Sequence, residues 1–151
     1  MSGTEVRFYH LTRTTLEAAL PQLVRKVLER GLRAVIKAGN ADRVEALTTL
    51  LWTFDQAAFL PHGNAKDGNA DHQPVFLTTE DTNPNGASVL FLVDGQTSGD
   101  AGRYTLVADL FDGGDSQAVA DARQRWTACR RAGHTLTYWQ QDDDGRWTKA
   151  A

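Results

Sequence analysis

A nearly continuous apolar run at residues 88–93 (SVLFLV) places the strongest constraint on how this chain can fold. A strand that is apolar at every position is buried on both faces of its sheet, whereas a strand with one wet face alternates in polarity. The rest of the chain therefore has to cover both sides of a sheet around this strand. We expect residues 88–93 to form a central, fully buried strand.

Segments with strand and helix character alternate along the rest of the chain. Strands are predicted where β-branched and aromatic residues cluster, and helices where apolar residues recur every three or four positions. The predicted strands are residues 6–11, 33–37, 75–79, 88–93, 104–111 and 134–140. Helices are predicted between Thr14 and Gly31, after Asn40, and from Asp115 or Ser116 to about Ala132. The resulting order is β-α-β-α-β-β-β-α-β.

This order predicts the fold class. Early strands joined through helices indicate βαβ crossovers and a parallel core, and later strands joined by short loops indicate some antiparallel edges. We expect one α/β domain over residues 1–151, a three-layer α/β/α sandwich with a mostly parallel, mixed sheet. Residues 142–151 are expected to form a polar tail.

The first helix has two features that bear on where it begins. Thr14 and Glu17 have the spacing of a capping box, which predicts Thr14 as the N-cap. Pro21 removes a hydrogen bond if it lies inside a helix. Either the helix proper begins near Leu20, or its first turns are bent.

Composition limits the classes of function. The net charge is −3 with a pI near 5.7, which argues against tight, charge-driven binding of DNA. A single cysteine, Cys129, cannot form an internal disulfide or a cysteine-rich metal site. The first residues are polar and no apolar stretch is long enough to span a membrane, so we expect a soluble, cytoplasmic protein.

No motif predicts a catalytic, cofactor or metal site. The loop after the first strand, Thr12 to Thr15, has no glycine, and the chain lacks the glycine–lysine pattern of a phosphate loop. The loop at residues 95–99 (GQTSG) has no lysine nearby in sequence and is expected to be an ordinary turn. The four histidines lie far apart, and none belongs to a metal-binding spacing.

The third helix has the pattern that stands out. Its core-facing stripe is predicted to contain Val119, Ala122, Trp126 and Cys129. Four arginines, at positions 123, 125, 130 and 131, fall within nine residues of this acidic chain. Arginine grips a carboxylate through two hydrogen bonds, and arginine with tryptophan is typical of binding hot spots. The alternative interpretation is a charged outer face around a core tryptophan.

A second group of large apolar residues spans Leu51 to Pro61 and includes Trp52, Phe54 and Phe59. A loop that only joins a helix to a strand needs fewer of them. The group is interpreted either as core packing or as an apolar surface that docks a partner.

Several short segments together resemble the chi subunit family of bacterial DNA polymerase III. They occur in the family's order and span nearly the whole chain: FYHL at residues 8–11, LW at 51–52, FLPH at 59–62, PV at 74–75, ARQRW at 122–126 and RAG at 131–133. The resemblance implies a nucleotide-binding-like fold without a phosphate loop or a bound cofactor, and an adaptor without catalytic activity.

The resemblance also implies partners and site residues. It predicts that Arg123, Trp126, Thr127 and Arg130 bind the acidic, phenylalanine-ended C-terminal tail of single-stranded DNA-binding protein. It predicts that Trp52, Phe59 and Pro61 form the face that binds the psi subunit of the clamp loader. A helicase that shares the psi-binding face is a further candidate partner.

Two departures from the family reduce the local positive charge. Thr127 and Val119 stand where relatives have basic residues, so tail binding is expected to be weaker unless Arg130 and Arg131 compensate. The competing hypothesis is a small nucleotide- or flavin-dependent enzyme with a doubly wound fold. Such an enzyme would hold its ligand near Thr12 or Gln96, at the carboxyl ends of the parallel strands.

Overall fold

The computed structural model describes residues 4–12, 14–53, 63–64, 73–144 and 146–150, with the backbone alone at 52–53 and 63–64. These residues form eight strands, three α-helices and one short 3-10 helix. In chain order they are β1 (Glu5–Leu11), α1 (Leu16–Glu29), β2 (Ala34–Lys37), α2 (Ala41–Thr53), β3 (Gly63–Asn64), β4 (Val75–Thr78), β5 (Val89–Leu92), the 3-10 helix (Ala101–Arg103), β6 (Leu106–Asp112), α3 (Ser116–Arg131), β7 (Thr135–Gln141) and β8 (Trp147–Lys149).

The strands form one mixed sheet in the order β3-β4-β2-β5-β6-β1-β7-β8. Neighbouring strands are parallel except β7 and β8, which are antiparallel. Strand β5 lies between β2 and β6, and all four of its residues are buried. The prediction of a central apolar strand in a mostly parallel sheet is therefore confirmed.

Helices cover both faces of the sheet, which confirms the three-layer arrangement. Leu20 and Val24 of α1 and Leu47 of α2 pack in one hydrophobic cluster on one face. Ala122 of α3 packs in a second cluster with Phe8 on the opposite face. Helix α1 connects β1 to β2 on one side of the sheet, while α3 connects β6 to β7 on the other. The connections therefore diverge at the adjacent strands β1 and β6, which is where an α/β fold opens a crevice.

The helix ends correct two expectations for α1. The N-cap is Thr15, whose side chain accepts from the amide of Ala18, and not Thr14. The helix begins at Leu16 and contains Pro21, so a start near Leu20 is wrong. Asn40 caps α2 as predicted and accepts from the amide of Arg43. Of the two candidates for α3, Asp115 is the cap, and it accepts from the amides of Gln117 and Ala118.

Two short strands lie in segments that were expected to be loop and tail. The backbone of Gly63–Asn64 pairs with β4, and Trp147–Lys149 pairs with β7. Trp147 packs edge-on against Tyr9 with ring centroids 4.9 Å apart. The half-buried Trp147 and the pairing with β7 hold β8 on the sheet, although the residues around Trp147 are polar.

No helix within the described ranges combines the length and the apolar character that crossing a membrane requires.

Candidate functional site

Helix α3 brings together the four residues predicted to bind an acidic tail. Arg123, Trp126, Thr127 and Arg130 have the spacing i, i+3, i+4 and i+7, so they form one continuous strip, here called the α3 patch. Arg123, Thr127 and Arg130 are exposed and Trp126 is half-buried. The strip lies beside the core-facing stripe, where Ala122 is buried and Val119, Trp126 and Cys129 pack against the cluster on that face, as predicted.

The charges of the α3 patch are free to meet a ligand. Neither Arg123 nor Arg130 forms an ion pair with any carboxylate in the part of the chain that the structure describes. Thr127 differs, because its hydroxyl donates to the carbonyl oxygen of Arg123 at 3.1 Å. The proton of this hydroxyl is therefore used within the helix, and the positive charge of the patch comes from the two arginines.

Two residues that the sequence analysis missed, Tyr138 and His10, form the wall beside the α3 patch. Trp126 packs edge-on against Phe8 and Tyr138, at centroid distances of 5.3 and 6.1 Å. The Tyr138 hydroxyl forms a short hydrogen bond with Nδ1 of His10, and the His10 ring stacks on Phe111. An aromatic wall therefore runs from α3 across β7, β1 and β6.

The charge of Arg123 acts on this wall. Burial raises the pKa of the Tyr138 phenol, and the positive charge of Arg123 opposes that rise. Arg123 is also three positions before the half-buried Trp126 on α3, so an exposed guanidinium and a half-buried aromatic ring are neighbours on the helix surface. This arrangement can bind a carboxylate next to an apolar ring.

Gly113 leaves the space that the His10 ring occupies. A Cβ atom built on Gly113 would lie 2.0 Å from two atoms of the His10 ring and 2.7 Å from the carbonyl oxygen of Leu11.

The strand-like alternation of residues 134–140 was the one sequence signal for Tyr138, because it places Leu136 and Tyr138 on one face. Which helix that face meets depends on the pairing of β7 with β1.

Arg125, one of the four arginines within nine residues of α3, does not lie on the exposed basic face of the helix. It is 9% exposed and donates to both carboxylate oxygens of Asp109 on β6, at 2.6 Å from Nε and 3.0 Å from Nη2. Burial raises the pKa of Asp109, and the hydrogen bonds and charge of Arg125 oppose that rise. The exposed positive charge of α3 therefore comes from three arginines and not four.

A cavity of about 700 Å³ lies at the carboxyl ends of β1 and β6, where an enzyme of this fold would hold a ligand. Its charged lining is mostly acidic: Asp112, Asp115 and Asp121 lie there, Glu17 and Asp94 are paired with Arg43, and Arg125 is paired with Asp109. The amides of Thr12 and Thr14 both donate to Oε1 of Gln141 at 3.2 Å. These amides belong to the loop that would approach a phosphate. Both are already hydrogen-bonded to the Gln141 side chain.

The loop at residues 95–99 is likewise hydrogen-bonded to side chains of the same chain. The structure brings Lys37 to it, although no lysine is near it in sequence. The Lys37 ammonium donates to the carbonyl oxygen of Thr97 at 2.6 Å and to Asp81 at 3.0 Å, and Asp81 accepts from the amide of Gly99. An internal carboxylate thus takes the place that an anionic ligand would need.

Of the three residues predicted to bind psi, the structure describes only the backbone of Trp52. Trp52 lies in the last turn of α2, but its side chain, Phe59 and Pro61 lie outside the described residues.

Among the residues that are described, no three His, Cys, Asp or Glu side chains come together to hold a metal ion. Cys129 is half-buried, and burial raises the pKa of its thiol.

Comparison with known proteins agrees with the resemblance. A family model described as "DNA polymerase III chi subunit, HolC" matches residues 3–137. A protein of Rickettsia prowazekii (strain Madrid E), named "Probable DNA polymerase III subunit chi", is 33% identical over 85 residues. That match covers 56% of this chain and 52% of the Rickettsia protein, so it spans about half the length of this relative.

Proposed function

Because the chain belongs to the DNA polymerase III chi subunit family, we propose that it is a non-catalytic adaptor of the clamp loader, linking the psi subunit to single-stranded DNA-binding protein. Family membership makes the chain an accessory subunit in DNA replication. The adaptor role adds two partners: psi, and the acidic C-terminal tail of single-stranded DNA-binding protein.

The observation that supports tail binding is the unpaired guanidinium of Arg123 one helical turn from Trp126, whose ring packs against Tyr138. The tail ends in a phenylalanine whose side chain and terminal carboxylate lie on the same residue. A receptor for it needs a cation next to an apolar surface, and the α3 patch with Tyr138 offers both. Arg123 would pair with the carboxylate, while Trp126 and Tyr138 would contact the phenyl ring.

The crevice supports an adaptor over a nucleotide- or flavin-dependent enzyme. Gln141 occupies the amides of the loop after β1, and Asp81 occupies the loop at residues 95–99. The acidic lining of the cavity would repel a phosphate. These contacts favour a nucleotide-binding-like fold that works through its surface.

Calorimetric titration with a synthetic tail peptide tests the proposal. Arg123→Ala is expected to weaken binding roughly thirtyfold or more, since a hot-spot arginine is worth about 2 kcal/mol. Arg30→Ala is the control, because Arg30 is exposed at the end of α1, on the face of the sheet opposite the α3 patch. Its effect is expected to be small and to vanish at high salt, as for exposed charges generally.

A second peptide, lacking the final phenylalanine, tests the apolar half of the site. Wild-type protein is expected to lose most of its affinity for this peptide. If Arg123→Ala binds the full tail as tightly as wild type, or if both peptides bind equally, the site does not lie at the α3 patch.

The proposed psi-binding face consists of Trp52, Phe59 and Pro61, and a helicase that uses the same face is a further proposed partner. The excess of large apolar residues in this segment supports a docking role.

A further inference from the structure

We infer that the buried Asp109–Arg125 pair sets the rotation of α3 about its own axis and thereby positions Arg123 and Trp126 for the tail. The inference rests on the proposed function for its consequence, but the rotation itself can be measured without any ligand. Asp109 and Arg125 are positioning residues, since neither belongs to the α3 patch.

Apolar packing alone holds α3 weakly. Ala122 is the one apolar residue of this helix that is buried, and Val119, Trp126 and Cys129 are only partly so. Hydrophobic contacts are also non-directional, so a small apolar stripe tolerates rotation of the helix. A directional contact is needed to select one orientation.

The Asp109–Arg125 pair has the geometry of such a contact. Two parallel hydrogen bonds join Nε and Nη2 of Arg125 to the two carboxylate oxygens, so they fix the plane of the guanidinium as well as its distance. Asp109 lies within β6, in register with Phe8 of β1 and Leu92 of β5. The carboxylate is therefore attached to the middle of the sheet.

The positions along the helix transmit this orientation to the α3 patch. Successive residues of a helix are about 100° apart, so Arg123 lies about 200° from Arg125 and Trp126 about 100° from it. With Arg125 directed at the sheet, Arg123 is directed away from it and Trp126 lies at the margin. A rotation of about 20° would move a guanidinium roughly 8 Å from the helix axis by roughly 3 Å. Hydrogen bonds to a carboxylate do not survive such a shift.

The energetics of buried ion pairs agree with a directional role. Replacement of such a pair by apolar residues of similar size is often neutral or stabilising, because desolvation of the two charges offsets their attraction. Net stability therefore does not explain why two charges are buried at the base of this helix. Their distinctive property is the fixed geometry of the two hydrogen bonds.

The double variant Asp109→Leu/Arg125→Met separates orientation from stability. We expect its melting temperature to stay near that of wild type, while its affinity for the tail peptide falls about tenfold. The direct readout is the nuclear Overhauser contact between the rings of Trp126 and Phe8, whose centroids are 5.3 Å apart in the wild type. This contact is expected to weaken in the double variant.

Two further variants keep the test decisive. Glu5→Gln/Arg7→Met removes an ion pair on the face of the sheet opposite α3, where Arg7 lies beside Lys26 of α1, and is expected to leave the Trp126–Phe8 contact and the affinity unchanged. Asp109→Asn/Arg125→Gln, which changes side-chain volume less, replaces the first double variant if that one does not fold. It is expected to show the same weakening.

An unchanged Trp126–Phe8 contact in both Asp109–Arg125 variants would overturn the inference, as would wild-type affinity for the tail. If wild-type protein itself does not bind the tail, the proposed function fails. The Trp126–Phe8 contact then still decides whether the pair orients α3.

Discussion

Arg125→Met tests how strongly the fold depends on the compensation of a buried charge. The substitution keeps an unbranched side chain in α3 but removes both hydrogen bonds to Asp109, which is 3% exposed. The carboxylate is left in an apolar site without a partner. Removal of one member of a buried ion pair costs about 3–5 kcal/mol, because the remaining charge stays desolvated.

This loss corresponds to a large change in thermal stability. For a chain of 151 residues, each kcal/mol lowers the melting temperature by roughly 2–4 °C. Arg125→Met is therefore expected to melt roughly 6–20 °C below wild type near neutral pH. Thermal and urea unfolding followed by circular dichroism would measure both quantities.

The deficit is expected to depend on pH with a defined sign. Burial raises the pKa of Asp109 above its ordinary value of 3.8, and without Arg125 nothing opposes that rise. The folded variant then binds a proton more readily than the unfolded chain. Its deficit is smallest below pH 3.8 and grows as pH rises through the raised pKa. Urea unfolding at pH 5 and pH 8 is expected to show a smaller difference from wild type at pH 5.

A neutral control isolates the charge. Asp109→Asn/Arg125→Met removes both charges and is expected to recover much of the lost stability and to lose the pH dependence. A deficit below about 1 kcal/mol, or one of equal size at pH 5 and pH 8, would show that Asp109 is not held as an uncompensated buried carboxylate.

Two further predictions concern the aromatic wall and the proposed psi-binding face. Gly113→Ala is expected to destabilise the protein by about 1–3 kcal/mol and to weaken tail binding, because its Cβ would overlap the His10 ring. Gly102→Ala is the control, since its Cβ would lie 3.7 Å from the nearest of its surrounding atoms. Equal urea midpoints for the two variants would contradict this. Trp52→Ala is expected to abolish co-purification of psi with little change in the thermal melt, and a collapse of the melt would instead identify Trp52 as a core residue.

The candidate site was predictable from the sequence as far as it lies on one helix. The spacing of Arg123, Trp126 and Arg130 within α3 follows from the helical repeat, which any reader of the sequence can apply. Arg125 lies on the same helix, between Arg123 and Trp126 in sequence, yet it is buried. Its fate depends on Asp109, sixteen residues earlier, which lies opposite it only because β6 is in the middle of the sheet.

Local periodicity determined the elements, since the apolar run of β5, the alternation of β7 and the stripe of α3 depend only on neighbours along the chain. The tertiary structure decided which elements meet. Tyr138 lies beside Trp126, Gln141 occupies the amides of Thr12 and Thr14, and Trp147 packs on Tyr9, although the last two contacts join residues more than 120 positions apart. Such contacts form because the crossovers bring β1 and β7 together, and the burial and hydrogen bonding that hold them have no signature in the local pattern of either segment.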